Sequence, residues 1–138
     1  MNDEPVLLID ESLSPNVAKA LGLVGYKMLT VSEVDDFRGM DRVSDQTLIP
    51  WLGVHDIVWV HADDNAKREH RKLIIANRIR TLWVYRPKGK MSSRDQLTVL
   101  CHVLPEFLEN LRSKPQKKHY AALIQGQRAR PRLKEMTI

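Results

Sequence analysis

The sequence predicts an α/β fold: a three-layer sandwich around a central parallel sheet of about four strands. Three observations lead to this prediction. Short apolar runs of strand type alternate with segments whose apolar residues recur at helical spacing, and this order repeats four times between residues 6 and 112. Strands that alternate with helices pair in parallel through right-handed crossovers, which place helices against the sheet. The composition, 43% hydrophobic and 28% charged, is that of an ordinary globular chain.

The first two predicted strands flank one helix. The run VLLID, residues 6–10, is short, apolar and preceded by Pro5, which is typical of a buried strand. Apolar residues at helical spacing follow over residues 13–24, and Gly25 stands where such a helix would end. The second strand is predicted at KMLTV, residues 27–31.

The next two strands follow the same alternation. Ser44 is a candidate N-cap for a short helix, which Pro50 is expected to shorten or kink. The apolar run DIVWVH, residues 56–61, predicts the third strand, and residues 66–77 favour a helix. The fourth strand is predicted at RTLWVY, residues 80–85. The three tryptophans fall within these elements, so they are assigned to core packing.

The end of the predicted domain follows from a change in composition. Ser93 and Gln96 are spaced as a capping box, which starts the last long helix. Beyond that helix the chain is polar and basic, with a short apolar stretch at 120–124. We therefore predict a folded domain over residues 1–112 and a basic C-terminal extension over residues 113–138. The extension is expected to hold one short ordered element and a loose tail.

The two halves of the chain carry net charges of opposite sign. Residues 1–65 carry twelve Asp or Glu against four Lys or Arg, whereas residues 66–138 carry the remaining 18 bases and 5 acids. An acidic site beside a basic surface is expected, and a basic surface attracts polyanions such as nucleic acid. The single cysteine, Cys101, excludes an intrachain disulfide, and no run is apolar enough to span a membrane, so a cytoplasmic protein is predicted.

Acidic residues end two of the predicted strands. Asp10 and Glu11 follow the first, and Asp63 and Asp64 follow the third. The carboxyl ends of parallel strands meet at one edge, and Asp45 begins the helix between them. Converging carboxylates repel one another unless a cation neutralises them, and oxygen ligands suit Mg²⁺ or Mn²⁺. Capping of turns and helices is the alternative role for each aspartate.

Three segments carry a family resemblance. IDESLSPNVAKALGLVGYKMLTV, SDQTLIPWL and DIVWVHADDNA resemble PIN-like domains, in particular a short bacterial group with the pattern LDENLSP, then SDEEIL, then a strand ending in T-x-D-x-D-F. The resemblance covers about residues 6–66 by motif and 67–112 by the order of elements. It implies a metal-dependent ribonuclease, often the VapC-type toxin of a toxin–antitoxin pair, that uses Mg²⁺ or Mn²⁺. The implied partners are an RNA substrate and a cognate antitoxin. A homodimer is a further possible assembly.

The resemblance assigns residues to the site position by position. It implies catalytic and metal-binding roles for Asp10, Asp45 and Asp63. The chain has Asn65 and Ala66 where the group has the last aspartate and aromatic of its third motif, and Asp64 is a candidate substitute ligand.

Two further departures lie beside the expected ligands. Ser12 stands in place of the asparagine of the first motif, and His61 stands in place of the threonine before the third aspartate. Together with Glu11 and Asn65, these residues are expected to surround the ligands rather than to bind metal. His61 is a candidate for a phosphate contact or proton transfer, with a hydrogen-bonded structural role as the alternative.

Basic residues follow the third and fourth predicted strands and are candidates for contacts with an RNA backbone. They are Lys67, Arg68, Arg71, Lys72, Arg86, Lys88 and Lys90. A solvated helix face is the alternative for the first four.

Three hypotheses follow from the sequence. The first is a metal-dependent endoribonuclease, and the second is a catalytically weak or inactive PIN-like module that binds RNA or a protein partner. The third is a receiver-like phosphoacceptor that uses Asp63, but Arg86 and Pro87 follow the fourth strand where a receiver needs a lysine.

Overall fold

The structure is a computed structural model that describes residues 4–86, 91–124 and 130–138. Within these ranges the chain forms one sheet of six strands and five α-helices. The strands are β1 Leu7–Ile9, β2 Met28–Thr30, β3 Val58–His61, β4 Thr81–Val84, β5 His119–Leu123 and β6 Arg132–Glu135. The helices are α1 Pro15–Leu23, α2 Asp45–His55, α3 Ala66–Glu69, α4 Arg71–Ala76 and α5 Ser93–Ser113. Two short 3₁₀ turns, Val31–Glu33 and Asp35–Phe37, follow β2.

The sheet has the strand order β2-β1-β3-β4-β5-β6. The first five strands are parallel, and β6 pairs antiparallel with β5. The α/β class predicted from the sequence is confirmed, but the expected sheet of four parallel strands is corrected to a mixed sheet of six. The two additional strands come from residues after 112, so the sheet continues beyond the predicted domain end.

The C-terminal segment is more ordered than the sequence suggested. β5 pairs with β4 in register, with Leu82 opposite Tyr120, and Tyr120 is buried. β6 has exposed Arg132 and Lys134 on the open edge of the sheet, where charged side chains discourage pairing with another chain. The predicted loose tail is wrong for residues 132–135, because backbone pairing with β5 rather than an apolar pattern orders this strand.

Local signals set the starts of the helices around the site. Ser14 caps α1 by accepting a hydrogen bond from the Asn16 amide, and Ser44 caps α2 by accepting one from the Thr47 amide. The predicted helix over residues 66–77 is divided at His70, whose non-helical backbone separates α3 from α4. This division directs the His70 side chain toward α2.

Hydrophobic residues cover both faces of the sheet. On one face, Leu7 and Ile9 of β1 belong to a core with residues of α1 and α5. On the other face, Leu8 and Trp59 belong to a core with residues of α2 and α4. The alternation within β1 follows from the period of two residues in a strand. No helix of the described ranges combines the length and the apolar character needed to cross a bilayer.

Candidate functional site

The three aspartates singled out in the sequence line one open cleft. Asp10 follows β1, Asp63 follows β3 by two residues, and Asp45 is the first residue of α2. β1 and β3 are neighbours in the sheet, and the Asp10 amide donates to the Val60 carbonyl at 2.9 Å. The cleft has a volume of about 510 Å³, and Asp64, Asn65 and Arg86 also line it. The acidic edge expected from parallel strands is therefore present in the structure.

Asp10 is held in place by its hydrogen bonds. Its Oδ2 accepts from the Ser12 amide at 3.1 Å and from the Ser12 hydroxyl at 2.8 Å, and its Oδ1 accepts from Trp59 Nε1 at 3.2 Å. Ser12 Oγ in turn accepts from the Ala62 amide at 2.9 Å. Ser12 thus joins the end of β1 to the end of β3, close to both predicted ligands. The contact with Trp59 could not be predicted, because it depends on the register of two strands.

Asp45 is paired with a histidine that the sequence analysis did not identify. His70 Nε2 lies 3.1 Å from Asp45 Oδ2, and the His70 side chain is only 11% exposed. Burial raises the pKa of the Asp45 carboxyl, and the negative charges of Asp10 and Asp63 raise it further, whereas His70 acts to lower it. The charges of both other aspartates thus act on the Asp45 carboxyl and favour its neutral form.

Asp63 and Asp64 make different contacts after β3. Asp63 Oδ1 accepts a hydrogen bond from the Asn65 amide at 2.9 Å, which shapes the turn into α3. Asp64 is exposed, and its Oδ1 accepts from Trp83 Nε1 at 3.1 Å. Asp64 lines the cleft together with Asp63 but also fixes an aromatic ring on β4. Glu11 lines the cleft as well and is exposed.

His61 lies beneath the acidic residues, buried in the sheet. It is 4% exposed, and its ring stacks on Trp59 with the two centroids 4.2 Å apart. Burial lowers the pKa of His61 to about 4, although Asp10, Asp63 and Asp64 each act to raise it. The imidazole is therefore neutral at pH 7. Its Nδ1 has no hydrogen-bond partner among the described residues.

Arg86 lies in the cleft and bridges the two strand ends. Its Nη2 donates to the Ala62 carbonyl at 3.0 Å, and its Nη1 donates to the Ser12 carbonyl at 3.4 Å. The guanidinium therefore holds together the segments that carry Asp10 and Asp63. Its expected role in binding RNA stays a prediction, and such a role has to be compatible with these two contacts.

The other predicted RNA contacts lie on α3 and α4 where the structure describes them. Lys67, Arg68, Arg71 and Lys72 are exposed, and Arg68 Nη2 donates to Asn65 Oδ1 at 3.0 Å. Lys88 and Lys90 lie outside the described residues. The break at His70 separates the first two basic residues from the last two, so they do not form one continuous helical face.

The donor chemistry of the cleft suits a hard divalent cation. Carboxylates with no cysteine nearby are ligands that Mg²⁺ and Mn²⁺ prefer. In the part of the chain that the structure describes, however, no group of three His, Cys, Asp or Glu side chains is arranged to hold one ion. Asp10 and Asp45 are engaged by Ser12, Trp59 and His70 instead. The carboxylates of the cleft are thus suitable ligands for such a cation in their chemistry. To bind it, however, Asp10 and Asp45 would have to reorient.

No family profile, curated protein or solved structure matches this chain. The resemblance to PIN-like domains therefore stays a prediction from the sequence motifs. The function has to follow from the geometry and charge of the cleft.

Proposed function

We propose that this protein is a metal-dependent endoribonuclease that hydrolyses RNA phosphodiester bonds in the acidic cleft. In this proposal Asp10, Asp45 and Asp63 hold Mg²⁺ or Mn²⁺, with Asp64 as a further candidate ligand. One observation carries it: three carboxylates from separate elements line one cleft, close enough for Asp10 and Asp63 to raise the pKa of Asp45. Carboxylates crowded in this way are stabilised when a cation binds among them.

The residues around the carboxylates support this chemistry. A divalent cation in the cleft would lower the pKa of a bound water and stabilise negative charge on the phosphodiester. Ser12 and Trp59 orient Asp10, and His70 orients Asp45. Metal-ligating carboxylates are commonly hydrogen-bonded to neighbouring residues in this way, although Asp10 and Asp45 would have to reorient for both to reach one cation. Arg86 keeps the two strand ends at a constant separation.

The basic helices give the substrate a path to the cleft. α3 starts three residues after Asp63 and exposes Lys67 and Arg68, and α4 exposes Arg71 and Lys72. Exposed cations beside an acidic site attract a phosphate backbone that the carboxylates alone would repel. RNA is preferred over other polyanions because the sequence motifs resemble those of PIN-like ribonucleases.

The family assignment forms part of the same proposal. Five parallel strands with a hydrophobic core on each face support a three-layer, PIN-like arrangement. Membership of the group would make the protein the toxin of a toxin–antitoxin pair, with an antitoxin as its protein partner. A homodimer is compatible with this role.

A second candidate function is favoured by a specific observation. The described residues contain no ready three-residue metal site, and both Asp10 and Asp45 already have hydrogen-bond partners in the protein. A PIN-like module that binds RNA or a protein partner with little or no catalysis would have this appearance. The two functions differ in whether metal binding and cleavage depend on the same carboxylates.

The test combines metal titration with an RNA cleavage assay. Mn²⁺ and Mg²⁺ are titrated by calorimetry into the wild type, into Asp10→Asn and into Asp95→Asn, and RNA cleavage is followed under the same conditions. Asp95 is a matched control, because it is an exposed aspartate in the first turn of α5, on the other side of the sheet from α2. We expect the wild type and Asp95→Asn to bind metal and cut RNA, and Asp10→Asn to do neither.

The same experiment can reject the nuclease. A wild type that binds no metal and leaves RNA intact would overturn it. RNA binding by that inactive protein would then support the second candidate. Equal cleavage by Asp10→Asn and the wild type would show that the cleft is not the active site.

A further inference from the structure

A second cavity lies beside the acidic cleft, on the face of the sheet covered by α3 and α4. Its volume is about 240 Å³, and β3, β4, β5 and the residues after β6 all contribute to its wall. This is below the range of roughly 300–1,000 Å³ typical of sites for drug-sized ligands. A single planar ring system therefore suits the cavity better than a larger ligand.

Aromatic rings form much of the wall. Trp83 is half-buried, and its orientation is fixed by the hydrogen bond from Nε1 to Asp64 and by an edge contact with Tyr85 at 5.6 Å between centroids. The ring of His61 also lines the cavity and is supported from behind by Trp59. The sequence assigned Trp83 to core packing, yet the ring borders a cavity. A preoriented indole of this kind offers a surface on which a planar ligand can stack.

Two imidazoles lie in the same wall, and one of them has a nitrogen without a partner among the described residues. His119 Nδ1 is 2.9 Å from Thr81 Oγ1, a contact that holds this half-buried imidazole in the wall. His61 contributes its buried, unpartnered Nδ1. Burial, together with the charges of Lys118 and Lys67, lowers the pKa of His119 to about 4, so this imidazole is neutral at pH 7. Unsatisfied polar atoms in a cavity wall favour a ligand with hydrogen-bonding edges.

The cavity and the acidic cleft adjoin each other. Asp63 and Asp64 line both, and Lys67 lines the cavity from α3. A ligand that occupies the cavity and extends past these two carboxylates would reach the cleft and the proposed reacting phosphate. The two carboxylates at this junction disfavour an anionic group inside the cavity itself.

We propose that this cavity is a nucleobase subsite, which takes the base of a single-stranded RNA nucleotide whose phosphate lies in the adjacent cleft. The inference rests on the proposed function, because it names part of the substrate of that site. A nucleobase is planar and neutral, stacks on aromatic side chains, and carries hydrogen-bonding edges. An aliphatic ligand would leave Nδ1 of His61 unsatisfied, and an acid would meet Asp63 and Asp64.

The test uses nucleosides rather than RNA, so that it needs neither metal nor catalysis. Adenosine, guanosine, cytidine and uridine are added separately to the ¹⁵N-labelled full chain in the presence of EDTA, and ribose is the control that lacks a base. The indole N–H signals of Trp83 and Trp51 are followed by NMR. Trp51 is an internal control, because it donates to Asp36 and does not line the cavity.

The expected result is selective. At least one nucleoside shifts the Trp83 indole signal, ribose does not, and the Trp51 signal stays in place. Trp83→Leu weakens nucleoside binding by roughly tenfold, as the loss of a stacking surface does, whereas Trp51→Leu leaves it unchanged. The wild-type spectra decide the question even where a variant does not fold.

Failure of this inference is distinguishable from failure of the nuclease. The wild type could cut RNA while its Trp83 signal stays in place with every nucleoside, even at the solubility limit. That result would overturn the base subsite and leave the nuclease intact. Nucleoside binding by a protein that cuts no RNA would support the subsite and reject the nuclease. Equal shifts with ribose and with nucleosides would also overturn the subsite.

Discussion

His70 and Ser12 position the two carboxylates at the centre of the cleft. Ser12 contacts Asp10 through both its amide and its hydroxyl, and His70 lies against Asp45. The first contact is local, between residues two apart in the turn after β1, whereas the second joins distant parts of the chain. The sequence places the aspartates at the right edge of the sheet and Ser12 beside Asp10, but His70 is brought to Asp45 by the fold.

Replacing His70 by glutamine is expected to raise the pKa of Asp45. His70 is the group that acts to lower this pKa, against burial and the charges of Asp10 and Asp63. Without it the pKa of the Asp45 carboxyl should lie higher still, because only burial and like charges remain. The pKa is measured by NMR titration of the carboxyl ¹³C signal in EDTA. His55→Gln is the control, because His55 is exposed and contacts Trp51 of its own helix. An equal shift in both variants would contradict the role given to His70.

The buried histidines are expected to make stability depend on pH between about 6.5 and 4. His61 and His119 have pKa values lowered to about 4 in the folded protein, against an ordinary value near 6.5. In this window the unfolded chain binds more protons than the folded chain, so stability falls as the pH falls and is fully present above 6.5. For His61 the whole effect is on the order of 3 kcal/mol.

His119→Gln isolates one of these contributions. Urea unfolding is measured at several pH values between 4 and 7, and the free energy of unfolding of the variant should fall less steeply than that of the wild type. His102→Gln is the control, because His102 is exposed on α5. The expectation fails if the two variants follow the same pH dependence.

At the scale of elements, the approach of α2 to α4 sets the position of Asp45 relative to His70. Gly53 of α2 lies against the last turn of α4, where an added Cβ would be 2.7 Å from the Asn77 carbonyl oxygen. Real Cβ atoms do not approach backbone that closely, so α4 would have to move. The glycine is therefore required by packing, although its backbone is helical.

Gly53→Ala is expected to destabilise the protein by about 1–3 kcal/mol, because overpacking outweighs the gain in helix propensity. Gly22→Ala is the matched control in α1. Its Cβ would be 4.0 Å from the Met28 side chain, so the substitution should stabilise by about 0.5–1 kcal/mol. Both are measured by urea denaturation. Stabilisation by both substitutions would contradict the close contact between α2 and α4.

At the scale of the whole molecule, the sheet extends into the segment predicted as an extension. β5 contributes buried residues beside β4, whereas the side chains of β6 are exposed or half-buried. A chain that ends at residue 118 would lack both strands and expose the core beneath Tyr120. A chain that ends at residue 131 would lack only the edge strand.

The two truncations are expected to differ strongly. The chain ending at 118 should lose cooperative thermal unfolding, and the chain ending at 131 should keep it with a lower midpoint. Far-UV circular dichroism during heating measures both. Equal stability of the shorter chain and the full chain would support the domain end predicted near residue 112.

The excess of basic residues after residue 65 predicts that the affinity for RNA falls as the salt concentration rises. Each cation that contacts a phosphate adds about 0.7 to the slope of log K against log salt for a single strand. Arg71→Gln and Lys72→Gln should each reduce this slope by about that amount in fluorescence anisotropy titrations. Lys19→Gln is the control, because Lys19 is an exposed cation on α1. An equal loss of slope in all three variants would show non-specific attraction rather than a surface at α3 and α4.

The sequence by itself determined the α/β class, the four strands up to residue 84 and the edge of the sheet whose cleft Asp10, Asp45 and Asp63 line. These features depend on local runs, caps and the geometry of parallel strands, which the chain order alone specifies. The tertiary structure decided which distant residues come together. Examples are the contact of His70 with Asp45, the cavity beside Trp83, and the pairing of β5 and β6 with the rest of the sheet. These depend on register and packing between residues far apart in the chain, and no local pattern records them.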